Sequence, residues 1–429
     1  MDQLTVCLII FVLTVISYCA GKISMASTSI VSLLLPSLTG CLSASDAVTY
    51  FGDSTVVMIG GMCVVAAGFN RTQFCDNIAQ AICARAKGNM TAILGGYVIL
   101  GIILSQFIQS PVAVFGIVAP MLASSARAAG ISPSKVMFSL GVSVVATCST
   151  LPLGAGATVA AEFNGYLESY GYTEFLAGLG DAALGRLPLL IICALYCIFI
   201  APRYAPDHPV VNTKEAQAKA SNKVPLSPFA ERAGYIIFIL VALGLTFAKQ
   251  LHLANWQVTV IGAMLMVLCG VLKPKEATGA LPVSMLLLIV GALGMADALA
   301  ATGAGDLIGG HMANLYSAVN GNSYIIGAVF FIVPFLMTQV MQNRATMMIF
   351  HPIAIATCAS VGGNPVGLQI LIQAGCLTAF MTPMATAAIP YMMDYGGYDQ
   401  ATMFKMSWRP AILFTVVAVA WTMTLFPIL

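Results

Sequence analysis

Gln106-Phe107-Ile108-Gln109-Ser110-Pro111 is answered 233 residues later by Gln339-Val340-Met341-Gln342-Asn343-Arg344. Upstream, Gly61, Thr72, Asp76 and Ile78 recur 230 residues on as Gly291, Thr302, Asp306 and Ile308. The chain is very apolar, so an internal repeat with polar residues at matching places points to a membrane carrier whose site lies between two halves.

Composition agrees. Of 429 residues, 59% are hydrophobic and 8% charged, against the ~25% charged of an ordinary soluble domain. Long apolar runs such as 3–21, 233–248 and 410–428 call for helices, because an isolated span in lipid must satisfy its own backbone hydrogen bonds. A barrel would instead show short alternating segments. The net charge of +2 comes without a basic patch carrying interleaved aromatics, so nucleic acid is not an expected partner. Neither Gly-x-Ser-x-Gly nor His-Glu-x-x-His occurs, and the chain is not read as an enzyme. The twelve cysteines, among them Cys7, Cys19, Cys63, Cys193, Cys197 and Cys269, lie singly in apolar runs without CxxC pairing. They read as small hydrophobes, and no metal site is expected. Met1-Asp2-Gln3 carries no positive residue, so the first run reads as a retained helix rather than a signal peptide.

The fold class expected is an all-α polytopic membrane protein of two inverted repeats, each with about five transmembrane helices and one re-entrant helical hairpin. The first repeat covers 1–200 with its hairpin at 91–128, and the second covers 231–429 with its hairpin at 323–362. Between them, 201–230 carries Arg203, Lys214, Lys219, Lys223 and five prolines. A basic loop of this kind is expected on the cytoplasmic side. Repeat one reads as spans near 3–21, 24–40 and 53–70, an interfacial stretch near 74–87, the hairpin, and spans near 134–170 and 180–201. Repeat two follows the same order near 233–250, 255–272, 282–302, 304–316, 323–362, 366–396 and 408–428. Five crossings per repeat invert the second copy, which places Lys22, Arg71, Arg85, Lys87, Arg127, Lys135, Lys273, Lys275, Lys405 and Arg409 on one side. Arg186 and Lys249 fit this pattern less well, and Arg344 fits no loop. Ten or more simple spans without hairpins are the alternative.

An unbroken helix offers no free backbone groups, so a polar solute at mid-bilayer needs side chains or broken helix ends. Breakers and polar side chains coincide twice in each repeat. They are Ser105 to Pro111 and Cys148-Ser149-Thr150-Leu151-Pro152-Leu153-Gly154-Ala155-Gly156 in the first, and Thr338 to Thr346 and Met381-Thr382-Pro383-Met384-Ala385-Thr386 in the second. Ser149 and Thr382 are again 233 apart.

This pattern resembles the divalent anion:sodium symporter family and its relatives in the ion transporter superfamily. Gln342-Asn343-Arg344-Ala345-Thr346 is similar to that family's second hairpin tip, Ser-Asn-Thr-Ala-Thr, and Phe380-Met381-Thr382-Pro383-Met384-Ala385-Thr386 to its later Phe-Met-x-Pro-x-Ala-Thr stretch. The resemblance covers nearly the whole chain, with about ten crossings where the family commonly has eleven. It implies a secondary transporter of dicarboxylates, citrate or sulfate in the cell (inner) membrane, working as a homodimer with an elevator motion. It also implies sodium held by oxygens of both tips. The first tip departs, since Gln109-Ser110-Pro111 lacks the family's asparagine and Asn343 alone keeps it.

The expected substrate is thus a small anion, most simply a di- or tricarboxylate. An inorganic oxyanion such as sulfate or arsenite is the alternative substrate, and an anion channel the alternative class. Gln109, Ser110, Ser149 and Thr150 are expected on one side of the site, with Gln342, Asn343, Arg344, Thr382 and Pro383 on the other. Ser110, Asn343, Ser149 and Thr382 are the candidates for a coupling ion, Na+ or H+, and no organic cofactor is expected. An unpaired charge at mid-membrane costs at least about 2.5 kcal/mol. Arg344 therefore needs a partner, either the substrate's carboxylate oxygens or an internal acid such as Asp297 or Glu162, unless it reaches an aqueous cavity, and it is also a candidate to stand in for a coupling cation. His351 is either a proton carrier or a satisfied core histidine. Asp76 and Asp306 read as acids near the starts of short amphipathic segments.

Overall fold

A computed structural model describes residues 2–20, 23–73, 89–108, 111–211, 226–247, 251–281, 283–304, 307, 314, 317–339, 343–382, 386 and 388–429. The described residues form eighteen α-helices and no strand. The first nine are α1 (Gln3–Ala20), α2 (Met25–Thr39), α3 (Ala44–Thr49), α4 (Ser54–Arg71), α5 (Met90–Phe107), α6 (Pro111–Ala128), α7 (Met137–Ala146), α8 (Val159–Ser169) and α9 (Asp181–Leu195). The other nine follow in the same order and spacing. They are α10 (Pro228–Thr246), α11 (Asn255–Leu268), α12 (Pro274–Gly279), α13 (Val283–Ala301), α14 (Ser323–Met337), α15 (Asn343–Val361), α16 (Val366–Leu377), α17 (Ala388–Gly396) and α18 (Gln400–Leu425). Among the described residues, six helical stretches, including Met90–Phe107 and Asn343–Val361, are long and apolar enough to cross a membrane.

Helix ends explain the shared spacing. Gly40 and Gly270, 230 residues apart, both take the left-handed conformation (φ 79° and 73°) that glycine adopts without a Cβ penalty. The two residues after each then donate to one carbonyl, Pro36 O or Met266 O, which closes α2 and α11 alike. Asn89 and Asn322, 233 apart, each accept from the backbone N–H groups two and three residues on and so start α5 and α14.

The helices sort into two bodies, and each draws on both halves. In one body α2 lies along α13 and α4 along α11, so second and third long helices exchange partners across the halves. The close points of these crossings are the repeated glycines. A Cβ on Gly61 would lie 2.9 Å from the Thr259 carbonyl carbon, and one on Gly291 would lie 2.2 Å from Ser29 O. The other body packs α5, α6, α7 and α9 with α14 to α18 around one core that includes Tyr97, Phe115, Phe138, Phe331, Phe380 and Phe414. Within it α5 lies against α6 and α14 against α15, each pair joined at a tip. Tip residues Gln109, Ser110 and Gln342 lie outside the described residues, as do Asp76, Asp306 and Pro383.

Several boundaries differ from expectation. Ser43 accepts from Asp46 N and starts the short α3 ahead of the span expected at 53–70. Ser227 caps α10 ahead of Pro228, which suits a first helical turn, so this helix starts before 233. Asp399 accepts from Thr402 N and starts α18 eight residues before the expected 408. Arg409 is therefore within a helix, its guanidinium 4.1 Å from the centroid of the Tyr204 ring. The stretches expected at 74–87 and 304–316 fall wholly or largely outside the described residues.

Candidate functional site

Each half contains a span that stops and restarts. In the first, α7 ends at Ala146 and regular helix resumes at Val159. Between them Ser149 takes φ 51°, a left-handed conformation unusual for a residue with a side chain. Gly156 allows the chain to fold back, since a Cβ there would lie 1.7 Å from Leu151 O. Buried backbone groups freed by such a break need partners, and Gln106 supplies three. Its Oε1 accepts from Thr150 N (3.0 Å) and Leu151 N (2.9 Å), and its Nε2 donates to Thr147 O (3.0 Å). Ser149 N donates to Ser105 O at 3.1 Å. Arg186, only 1% exposed, donates from both terminal nitrogens, to Ala146 O and Ser149 O at 3.1 Å each.

The second break repeats the arrangement with neutral groups. The helix α16 ends at Leu377 and α17 starts at Ala388. Gln339, the counterpart of Gln106, accepts from Met381 N at 3.2 Å. Thr382 donates its hydroxyl to Gln339 O. Gln400, at the start of α18, donates to Met381 O at 2.8 Å. Thr338 donates to Asn343 Oδ1 at 2.8 Å, which ties the two arms of the second hairpin together at the start of α15.

The two halves meet where α8 faces α15. Arg344 Nη1 lies 2.8 Å from Glu162 Oε2, the arginine side chain 27% exposed and the glutamate 4%. Of the internal acids considered as its partner, Glu162 is therefore the one paired, while Asp297 accepts from the Tyr50 hydroxyl at 2.8 Å. Glu162 Oε1 is buried with no hydrogen-bond partner. Two turns below Arg344, His351 is fully buried, its ring 5.3 Å from Phe163 and 5.1 Å from Tyr166, and neither of its nitrogens has a partner. A buried carboxylate oxygen and a buried imidazole without partners are unusual for a native interior and single out this region as the candidate site.

Of the expected site residues, Ser149 and Thr150 are buried at the first break, Thr382 lies at the second, and Asn343 and Arg344 start the second hairpin's return helix. The sequence places Gln106 and Gln339 in the polar stretch at each tip without assigning them to the site, and it does not single out Gln400 or, beyond its poor fit to the charge pattern, Arg186. The repeated glutamine ahead of each tip was the available signal for Gln106 and Gln339.

A family model described as Citrate transporter matches residues 8–378. An uncharacterized transporter of Haemophilus influenzae is 23% identical over 409 residues, covering 91% of this chain and 85% of the relative. The sodium-dependent dicarboxylate transporter SdcS of Staphylococcus aureus is 21% identical over 398 residues, covering 85% of this chain and 75% of the relative. An uncharacterized Synechocystis transporter is 25% identical over 163 residues, and the match spans 38% of this chain and only 26% of that relative. Among solved structures, MtrF of Neisseria gonorrhoeae, described as representing a class of antimetabolite efflux pumps, superposes with a TM-score of 0.64. It is 15% identical, with 100% of this chain and 96% of that one covered. The YdaH transporter of Alcanivorax borkumensis, described as having an unusual topology, gives 0.63 at 13% identity, covering 99% and 96%. At such identities these two show a shared fold.

Proposed function

The chain belongs to the citrate transporter family and is a multi-pass protein of the cell membrane, and from that premise we propose that it is a secondary active carrier of a small anion. A di- or tricarboxylate is the favoured substrate, moved by alternating access. The observation that carries this reading is the Arg344–Glu162 pair. It joins a broken span of one half to a hairpin of the other and leaves one carboxylate oxygen unsatisfied in an apolar layer. An anionic substrate offers the guanidinium a second partner, and the planar fork suits two carboxylate oxygens. The start of α15 adds its free N–H groups and positive dipole end to the same region.

Two inverted repeats, with hairpins that return to the side they entered, fit the equal helix order and the reciprocal packing of α2 on α13 and α4 on α11. An elevator motion of the hairpin body against the other is the conformational change this division favours. We assign Ser149, Thr150, Asn343, Arg344 and Thr382 to the substrate and ion region, together with Gln109, Ser110, Gln342 and Pro383. Coupling to Na+ accords with the sodium-dependent relatives. Coupling to H+ accords with the free Glu162 oxygen and with His351. A homodimer is the expected assembly.

A thermal-shift screen of the purified protein against citrate, succinate, malate, sulfate and arsenite, in sodium and in choline, tests the reading. Stabilisation by a carboxylate, lost in Arg344→Ala, is expected. Stabilisation by sulfate alone would move the assignment to an oxyanion carrier. Uptake into proteoliposomes that fails to saturate and shows no trans-stimulation would remove the carrier reading.

A further inference from the structure

Arg186 is the largest fully buried side chain among the described residues, and it sits deep in the hairpin body without a carboxylate. No acidic side chain of the described residues lies within ion-pair distance of it, and its Nε is buried with no partner. What holds the charge is the end of a helix. Its two terminal nitrogens donate to Ala146 O, the last residue of α7, and to Ser149 O, which belongs to the residue in the left-handed conformation. The C-terminal end of a helix carries free carbonyls and a partial negative charge. In broken spans of carriers such ends coordinate a coupling cation.

We infer that the Arg186 guanidinium is a resident cation at the first break, occupying the carbonyl-lined place where a free monovalent ion would otherwise bind. At the second break the described residues show a different donor. There α18, which follows the second break as α9 follows the first, supplies, among the described residues, the neutral amide of Gln400, to Met381 O. The first break thus carries a permanent positive charge, while the donor that the described residues bring to the second is neutral. Arg186 is unsuited to bind substrate, because it is 1% exposed and both of its terminal nitrogens are committed. Its consequence is stoichiometric, since one positive charge that would have to be imported with each anion is already built into the protein.

The inference rests on the carrier reading only for that consequence. Its test needs no transport. The melting temperature of the full-length protein is titrated with NaCl and LiCl against matched choline chloride. Wild type should show at most one saturable site. Arg186→Gln, which keeps a neutral donor and removes the charge, should gain a further saturable Na+ or Li+ response, an upward shift of about 2–4 °C. Arg186→Lys, which keeps the charge, should show the wild-type cation profile. A folded Arg186→Gln with the wild-type cation profile would overturn the inference. If that variant does not fold, a two-site Na+ isotherm in wild type would overturn it equally. Absence of uptake of citrate, succinate or sulfate by wild type would remove the carrier reading and leave these titrations interpretable.

Discussion

Glu162→Gln separates the group that holds the second hairpin from the group that holds the anion. The pair is joined at 2.8 Å with the glutamate 4% and the arginine 27% exposed. For charge centres about 4 Å apart, an effective dielectric of about 20 gives about 4 kcal/mol of attraction. Glutamine keeps an oxygen that still accepts from Nη1, which returns about 1 kcal/mol. Partial access of water to Arg344 recovers a little more, so the unliganded protein should lose about 2–3 kcal/mol. That is less than the ~3–5 kcal/mol expected when a fully buried pair is broken. Substrate binding should change in the opposite sense. With the competing carboxylate gone, citrate or succinate meets a freer guanidinium, and about 2 kcal/mol corresponds to about thirty-fold in Kd. Denaturant unfolding in detergent, with and without each anion, reads both quantities, and Arg344→Gln and the double variant complete the cycle. Lower basal stability with a larger anion-induced gain is expected for Glu162→Gln, and no anion-induced gain for Arg344→Gln. If Arg344→Gln still binds the anion, or Glu162→Gln loses binding with it, then the pair is structural and Arg344 does not exchange partners.

Gln106→Leu leaves the N–H groups of Thr150 and Leu151 without their acceptor, whereas among the described residues Gln339→Leu does this to Met381. At about 1–3 kcal/mol for each buried orphan, the first should cost about twice the second in denaturant unfolding; equal costs would argue against the Gln106 bridge. Gly156→Ala places a methyl on Leu151 O and should abolish folded protein in size-exclusion profiles, whereas Gly116→Ala, with nothing within 4 Å, should be neutral or stabilising by about 0.5–1 kcal/mol. The Lys135 ammonium donates to Asp207 and holds that carboxyl below its usual range. A depressed acid stabilises above its unfolded pKa, and this is lost as pH falls through the lower folded value. The stability difference between wild type and Asp207→Asn should therefore close on acidification, and a difference that widens would refute the pairing.

The shared helix order of the two halves was legible because glycines and caps recur wherever backbone geometry recurs. Gly61 and Gly291 mark close helix crossings in both halves, and no other residue fits such places. The breaks at Ser149 and Thr382 were legible for a related reason, since prolines, glycines and hydroxyl side chains interrupt apolar runs there. Partners were harder to read. Glu162 and Arg344 are 182 residues apart and come from non-equivalent elements of the two halves, so no periodicity links them. Gln106 inside an apolar helix looks like any tolerated amide until the chain it bridges is placed beside it. The short helices α3 and α12 were overlooked because six residues carry too little periodicity to register.

The repeat constrains backbone, and function uses the positions where it fails. At the tips, Pro111 faces Arg344 in the register. At the breaks, the charged Arg186 stands against the neutral Gln400. Both half-sites need the same geometry, because two similar bodies must pack alike in either state of an alternating cycle. They do not need the same charge. A site that carries an anion between two aqueous faces has to bind it and release it, and identical cationic halves would hold it too tightly to leave. On the carrier reading proposed above, one fixed cation buried out of reach at Arg186 and one partly exposed cation at Arg344, paired with Glu162, divide those tasks. The first would lower the energy of bringing an anion into the membrane, and the second would set how readily the anion leaves.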